Sequence, residues 1–243
     1  MHAFWPLLKR ELSRMLHSSV VMIIVILFLV MLGGMFFRDY FDTVRSLSLR
    51  PFFSQAPTLL AFFCPALTMG RIAGERSDHT LDLLLTMPLH SAHIVLAKFV
   101  ACLVVLAFVL LCTLSYPLTL SGLGELDWGP VIGGYVALFM LGGGYCAIGL
   151  LTSAWAEDQM IAVLTAFFLC VALTYVDMLV VSSSGTLAVL LQNLSASYHF
   201  SNIARGVMDI RDILYTLSLQ CIAVCGAVFT LEARRYPDPV VKS

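Results

Sequence analysis

Six long apolar runs dominate the chain, at residues 19–37, 56–73, 93–120, 129–152, 159–181 and 213–231. A bilayer core is crossed by about 20 mostly apolar residues in a helix. Each run meets that length approximately, so the pattern predicts six transmembrane helices and an all-α membrane protein. The third run is long and carries Pro117, which predicts an end or a kink near Tyr116. Gly33-Gly34, Gly133-Gly134 and Gly142-Gly143-Gly144 lie inside runs. There, small residues let helix backbones approach closely in lipid.

The polar segments between the runs carry the remaining pattern. In residues 4–17, Phe4, Leu8, Leu12 and Met15 form an apolar stripe, while Lys9, Arg10, Ser13 and Arg14 face elsewhere. This predicts an amphipathic helix at the membrane interface. A cleaved signal peptide is the competing reading, but Val20–Phe37 exceeds the usual apolar length of about 7–15 residues and lacks a clear Ala-x-Ala site.

Residues 74–88 interrupt the second and third runs with a charged cluster, a leucine-rich stretch and a proline. Ser77 and Asp78 are placed to cap a helix start through their side-chain oxygens. Asp82 lies in or near its first turn, where the helix dipole favours negative charge. Leu81, Leu84, Leu85 and Pro88 fall on one side by three-and-four spacing. The segment reads as a short amphipathic helix shaped to be held by another protein. A helix lying on the bilayer surface shares the same periodicity.

Three other connections stand out. Residues 38–55 form a polar segment. The turn between runs four and five carries Glu157 and Asp158, a second acidic spot on the cytoplasmic side and a second candidate contact there. Residues 182–212 form a longer segment whose part from Leu187 to Leu194 is too short to span and can lie at or dip into a leaflet. Arg205 and Asp209, four apart, can pair on one helical face.

Orientation follows from Lys and Arg. With the N-terminus inside, the cytoplasmic side holds Lys9, Arg10, Arg14, Arg71, Arg76, Lys98, Arg234, Arg235 and Lys242. The outside holds Arg38, Arg45, Arg50, Arg205 and Arg211. Nine against five predicts both termini in the cytoplasm of a multi-pass plasma (inner) membrane protein.

Composition agrees with the pattern. Charged residues are 12% of the chain, against about 25% in soluble domains. The net charge of −1 offers no footprint for nucleic acid. The seven cysteines sit in apolar runs, with no C-x-x-C pair and no His beside them at ligand spacing. They read as small packing residues.

Candidate chemistry is sparse. A nucleotide-binding loop needs G-x-x-x-x-G-K-[ST], and no lysine here follows a glycine. A membrane serine hydrolase is the best enzymatic reading, with Ser182, Ser183 or Ser184 as nucleophile and His199 as base. A non-enzymatic scaffold is the other alternative. Asp177 is the one acid well inside an apolar run, about four residues from its outer end, and reads as a solvated helix end.

The stretch Pro65–Pro88, with Glu75-Arg76, Thr80-Leu81-Asp82-Leu83-Leu84-Leu85 and Pro88, resembles the E-R-x-x-G-T-L-E-L-L-L-x-x-P motif of ABC-2 type transporter permease subunits. His79 stands where many members have glycine. Ser197–Asp212, with Arg205-Gly206 and Asp209-x-x-Asp212, resembles the segment before the last helix in the gliding-motility GldF-like branch. The resemblance covers essentially the full chain up to Tyr236. It implies that residues 74–90 hold a coupling helix seated in a separate ATPase subunit. Glu75, Arg76, Thr80, Leu81, Asp82, Leu84 and Leu85 carry over to that contact. It further implies a second permease chain, identical or different, and ATP and Mg bound by the partner rather than by this chain. His199, Arg205, Asp209 and Asp212 are the marked positions of the external segment.

Overall fold

The computed structural model describes residues 4–42, 49–77, 90–122, 126–181, 192–206 and 209–235, without the side chains of 39–42 and 177–181. The helices are α1 (Phe4–Leu16), α2 (Ser19–Asp42), α3 (Arg50–Thr68), α4 (Ala73–Ser77), α5 (Ser91–Thr113), α6 (Ser115–Ser121), α7 (Trp128–Trp155), α8 (Gln159–Val181), α9 (Ala196–Ala204) and α10 (Ile210–Arg235). No strand occurs among the described residues. Among the described residues, six stretches are long and apolar enough to cross a membrane: Ser19–Arg38, Arg50–Ser77, Ser91–Ser121, Trp128–Trp155, Gln159–Val176 and Ile210–Arg235. The predicted six-helix, all-α fold is what the chain forms.

Helix α7 is the post around which the bundle closes: α3, α5, α8, α9 and α10 all pack on it. Its apolar window is 72% buried, against 28% for α2 and 22% each for α8 and α10, which turn their remaining faces outward. The glycines of α7 explain how so many neighbours fit. A Cβ at Gly134 would overlap the Phe53 ring on α3, and one at Gly149 would overlap the Thr68 side chain. At Gly142 it would lie 2.7 Å from Leu106 Cδ2 on α5. Without side chains there, neighbouring helices dock by van der Waals contact, the main attraction available between helices in lipid.

Pro117 breaks the third span as predicted, and the break falls between Thr113 and Ser115. Proline has no N–H, so the carbonyl of Thr113, four residues earlier, loses its helical donor. The Tyr135 hydroxyl of α7 replaces it, donating to Thr113 O at 2.9 Å. A kink in lipid is tolerated when a neighbouring helix re-satisfies the freed group in this way.

Residues 38–55, read as a polar segment, are helical at both described ends: α2 continues to Asp42 and α3 begins at Arg50. Pro51 sits in the first turn of α3, where its fixed φ favours a helix and its missing N–H costs nothing. The face of α1 is also rotated from the predicted stripe. Its buried residues are Leu7, Glu11 and Met15, spaced four apart, with Phe4, Leu8 and Leu12 partly buried beside them. That face packs on α5.

Candidate functional site

The elbow between α3 and α4 is built from main-chain closures and one borrowed side chain. Met69 N donates to Pro65 O at 2.9 Å and ends α3. The chain turns over Gly70–Ile72 and restarts as α4. The first N–H groups of a helix have no partner within it. Ser153 of α7 supplies one from outside: its Oγ accepts from Ile72 N (3.2 Å) and Ala73 N (3.0 Å). The same hydroxyl donates to Met69 O at 3.0 Å. Ser153 is fully buried, so one side chain clamps both sides of the elbow to α7.

The C-terminal end of α7 receives cations from two directions. Arg76 of α4 donates to Ala156 O (3.2 Å) and to Glu157 Oε1 (2.8 Å). Arg234 of α10 donates to Trp155 O at 2.7 Å. Free carbonyls and the dipole make a helix C-terminus a natural seat for guanidinium groups. Glu157 is 81% exposed, so its pairing with Arg76 contributes little to stability but holds two surface segments in register.

Behind the elbow lies a buried ionic cluster. Lys98 of α5 is 1% exposed, Glu11 of α1 is 1% and Glu75 of α4 is 6%. Lys98 Nζ lies 2.8 Å from Glu75 Oε1, 3.4 Å from Glu11 Oε2 and 2.8 Å from the Arg71 carbonyl oxygen. Arg14 also pairs with Glu75, and Arg10 reaches Glu11 Oε1 at 3.3 Å. Burial pushes the Glu11 carboxyl up, but the Lys98, Arg14 and Arg10 charges outweigh it and hold the group below its ordinary value.

At the opposite end of the bundle, His199 of α9 and Asp212 of α10 form a second buried pair, Nδ1 to Oδ1 at 2.6 Å. The ring stacks on Tyr215 with centroids 4.1 Å apart, and the Tyr215 hydroxyl donates to Leu194 O at 2.7 Å. His199 Nε2 lies 3.0 Å from Asn193 O. A carbonyl only accepts, so a hydrogen bond there is donated by Nε2. The arrangement pins α9 to α10.

A family model described as ABC-2 family transporter protein matches residues 5–218. The chain belongs to the ABC-2 transporter family. A comparison with curated proteins finds no match. Family membership makes this chain a permease subunit of an ABC transporter, a multi-pass membrane component whose general partner is an ABC ATPase.

In this ABC-2 permease the predicted residues fare differently. Arg76 and Glu157 were expected at separate contacts and are brought together, with exposed Asp158 beside them. Glu75, expected to face a partner, is buried on Lys98 instead; its carboxylate neutralises an ammonium that has no water to turn to. Thr80, Leu81, Asp82, Leu84 and Leu85 lie outside the described residues, as do Asp78 and Ser184. Ser77 is the last residue of α4 and its hydroxyl donates back to Gly74 O at 3.0 Å; the helix start that the sequence predicts it and Asp78 to cap lies outside the described residues. Arg205 and Asp209 do not share a helix. α9 ends at Ala204, and Gly206 takes a φ of 85°, a left-handed turn that glycine accepts without strain. Asp209 caps α10 instead, its Oδ1 accepting from Arg211 N at 3.0 Å. Asp177 sits on α8, its side chain outside the described residues.

Sequence reasoning missed Lys98, Glu11 and Ser153. A count of cytoplasmic charges does not single out Lys98, although it lies inside the apolar run 93–120. Glu11 falls between Leu7 and Met15 at helical spacing, and that signal was available. A serine inside a helix announces nothing locally, and Ser153 meets residues about eighty positions away.

Proposed function

We propose that this chain is the permease of an ABC exporter of the GldF-like branch, driven by a separate ATPase through residues 74–88. ATP and Mg bind the ATPase subunit. Two six-helix chains, identical or different, flank the substrate path, with both termini of each in the cytoplasm of the inner membrane. Closure of the ATPase subunits on ATP moves the coupling segments and tilts the bundle. Such a push acts only through contacts that differ between the two conformations.

The observation that carries this reading is the bracing of the elbow. Ser153 ties it to α7, and Arg76 ties α4 to the α7–α8 turn at Ala156 and Glu157. A displacement applied there has two long helices to move rather than a slack loop. Glu157 and Asp158 then form a second strip of the same docking surface. The buried, carbonyl-bound His199 favours this reading over the hydrolase.

The test is co-purification of the tagged permease with its ATPase, together with the stimulated ATPase rate. Leu84→Asp and the double change Arg76→Glu with Glu157→Arg are compared with wild type. Loss of the ATPase from Leu84→Asp, and a lowered rate in the double variant, are expected. Unchanged assembly and unchanged rate in both would sink the proposal.

A further inference from the structure

The ammonium of Lys98 has three protons, and three acceptors surround it: Glu11 Oε2 on α1, the Arg71 carbonyl in the elbow and Glu75 Oε1 on α4. Each acceptor belongs to a different stretch of chain, and the lysine itself belongs to a fourth, the membrane helix α5. The side chain is 1% exposed. A lysine inside a membrane helix is expensive, and those that persist mark function by default. Stability alone does not call for it, since apolar residues of similar volume commonly replace a buried ion pair without loss. What an apolar residue cannot do is hold three segments at fixed distances and angles from one point.

We infer that Lys98 is a positioning residue that locks α1 and the elbow to α5, so that all three travel as one rigid unit when the ATPase pushes. This rests on the coupling reading above. It adds that α1 lies on the path of transmission rather than floating as a passive interfacial helix, and that the push reaches α5 as well as α7. The ionic geometry is suited to the task. Charge-assisted contacts are directional, and buried pairs are screened by salt far less than surface ones. Ser153 and Lys98 then divide the work, one fastening the elbow to α7 by hydrogen bonds and the other fastening it to α5 by charge.

The experiment uses the full permease–ATPase complex in nanodiscs, with the outward-facing Cys112, Cys221 and Cys225 replaced by serine. Spin labels at Ser13→Cys on α1 and Ser77→Cys on α4, both exposed positions, report the distance between the two elements. It is read without nucleotide and with ATP plus vanadate. One narrow distance, the same in both states, is expected for the otherwise native chain. In Lys98→Met the distance should broaden or split on adding ATP plus vanadate. The ATPase should stay bound while its stimulated rate falls about tenfold. Glu11→Gln, which leaves the other two acceptors in place, should give the same change in weaker form, and it decides the matter if Lys98→Met does not fold. A distance that differs between nucleotide states in the native chain overturns the inference, as does native behaviour of both variants. Failure of the native complex to retain the ATPase is a separate readout and removes the coupling reading itself.

Discussion

Lys98 shows how one side chain can be costly to remove and cheap to replace. Lys98→Ala leaves Glu11 and Glu75 buried without their shared cation. Breaking a buried pair from one side costs about 3–5 kcal/mol, and thermal denaturation in detergent should show a loss of that order. The triple change Lys98→Met, Glu11→Gln and Glu75→Gln removes the charges together and should recover most of it. If the triple variant is as unstable as the single one, the cluster is not what the single change disturbs. Glu11 adds a pH signature. Its carboxyl is held below the ordinary value of 4.5 by Lys98, Arg14 and Arg10, which outweigh burial. A depressed acid stabilises the fold above its unfolded pKa, and that contribution is lost as pH falls through the folded pKa. The stability difference between wild type and Glu11→Gln should therefore be constant from neutral pH to about 5 and shrink below 4.5. A difference that persists unchanged into stronger acid would show that the carboxylate charge is not the cause.

Elements were legible from the chain to the extent that hydrophobicity defines them. Composition marks the bilayer core, so six runs became six spans. It does not mark hydrogen bonding, so α2 and α3 extend past their apolar stretches into Asp42 and Arg50. The proline break was legible because a missing N–H is a local fact, whereas the Tyr135 hydroxyl that repairs it comes from 22 residues away. The elbow divides the same way. Its motif residues Glu75 and Arg76 could be picked out, but which of them faces inward depends on Lys98 and Glu157, distant in sequence. Packing of α7 gives the test at this scale. In Gly149→Ala the added Cβ overlaps Thr68, which is itself tied to Cys64 O at 2.9 Å and cannot swing freely. Overpacking of this kind costs about 1–3 kcal/mol, and Thr68→Ala in the same chain should restore part of it. Full stability of Gly149→Ala alone would mean that α3 and α7 separate more easily than their contact implies.

The molecule as a whole has two unlike ends, and their difference bears on how it sits in the membrane. Helix α7 runs from Trp128 to Trp155, 28 residues. At 1.5 Å per residue that is about 42 Å, longer than a hydrocarbon core of about 30 Å. Its terminal tryptophans are 45% and 71% exposed, as aromatic residues at the two headgroup levels should be. Trp5 on α1 is likewise 71% exposed, at the end that also carries the elbow, Arg76 and Arg234. The other end carries α9, Gly206 and the His199–Asp212 pair. Basic residues collect on the cytoplasmic side. Moving Lys98 from that count into the bundle interior leaves eight against five, and the count predicts the same sense. Single cysteines then decide the matter, in a background without Cys112, Cys221 and Cys225. Arg205→Cys, exposed beside α9, should react with a membrane-impermeant maleimide added to intact spheroplasts. Glu157→Cys, beside the elbow, should react only after permeabilisation. The reverse pattern would put the elbow outside, beyond reach of any cytoplasmic ATPase, and the docking surface would have to be sought at the α9 end.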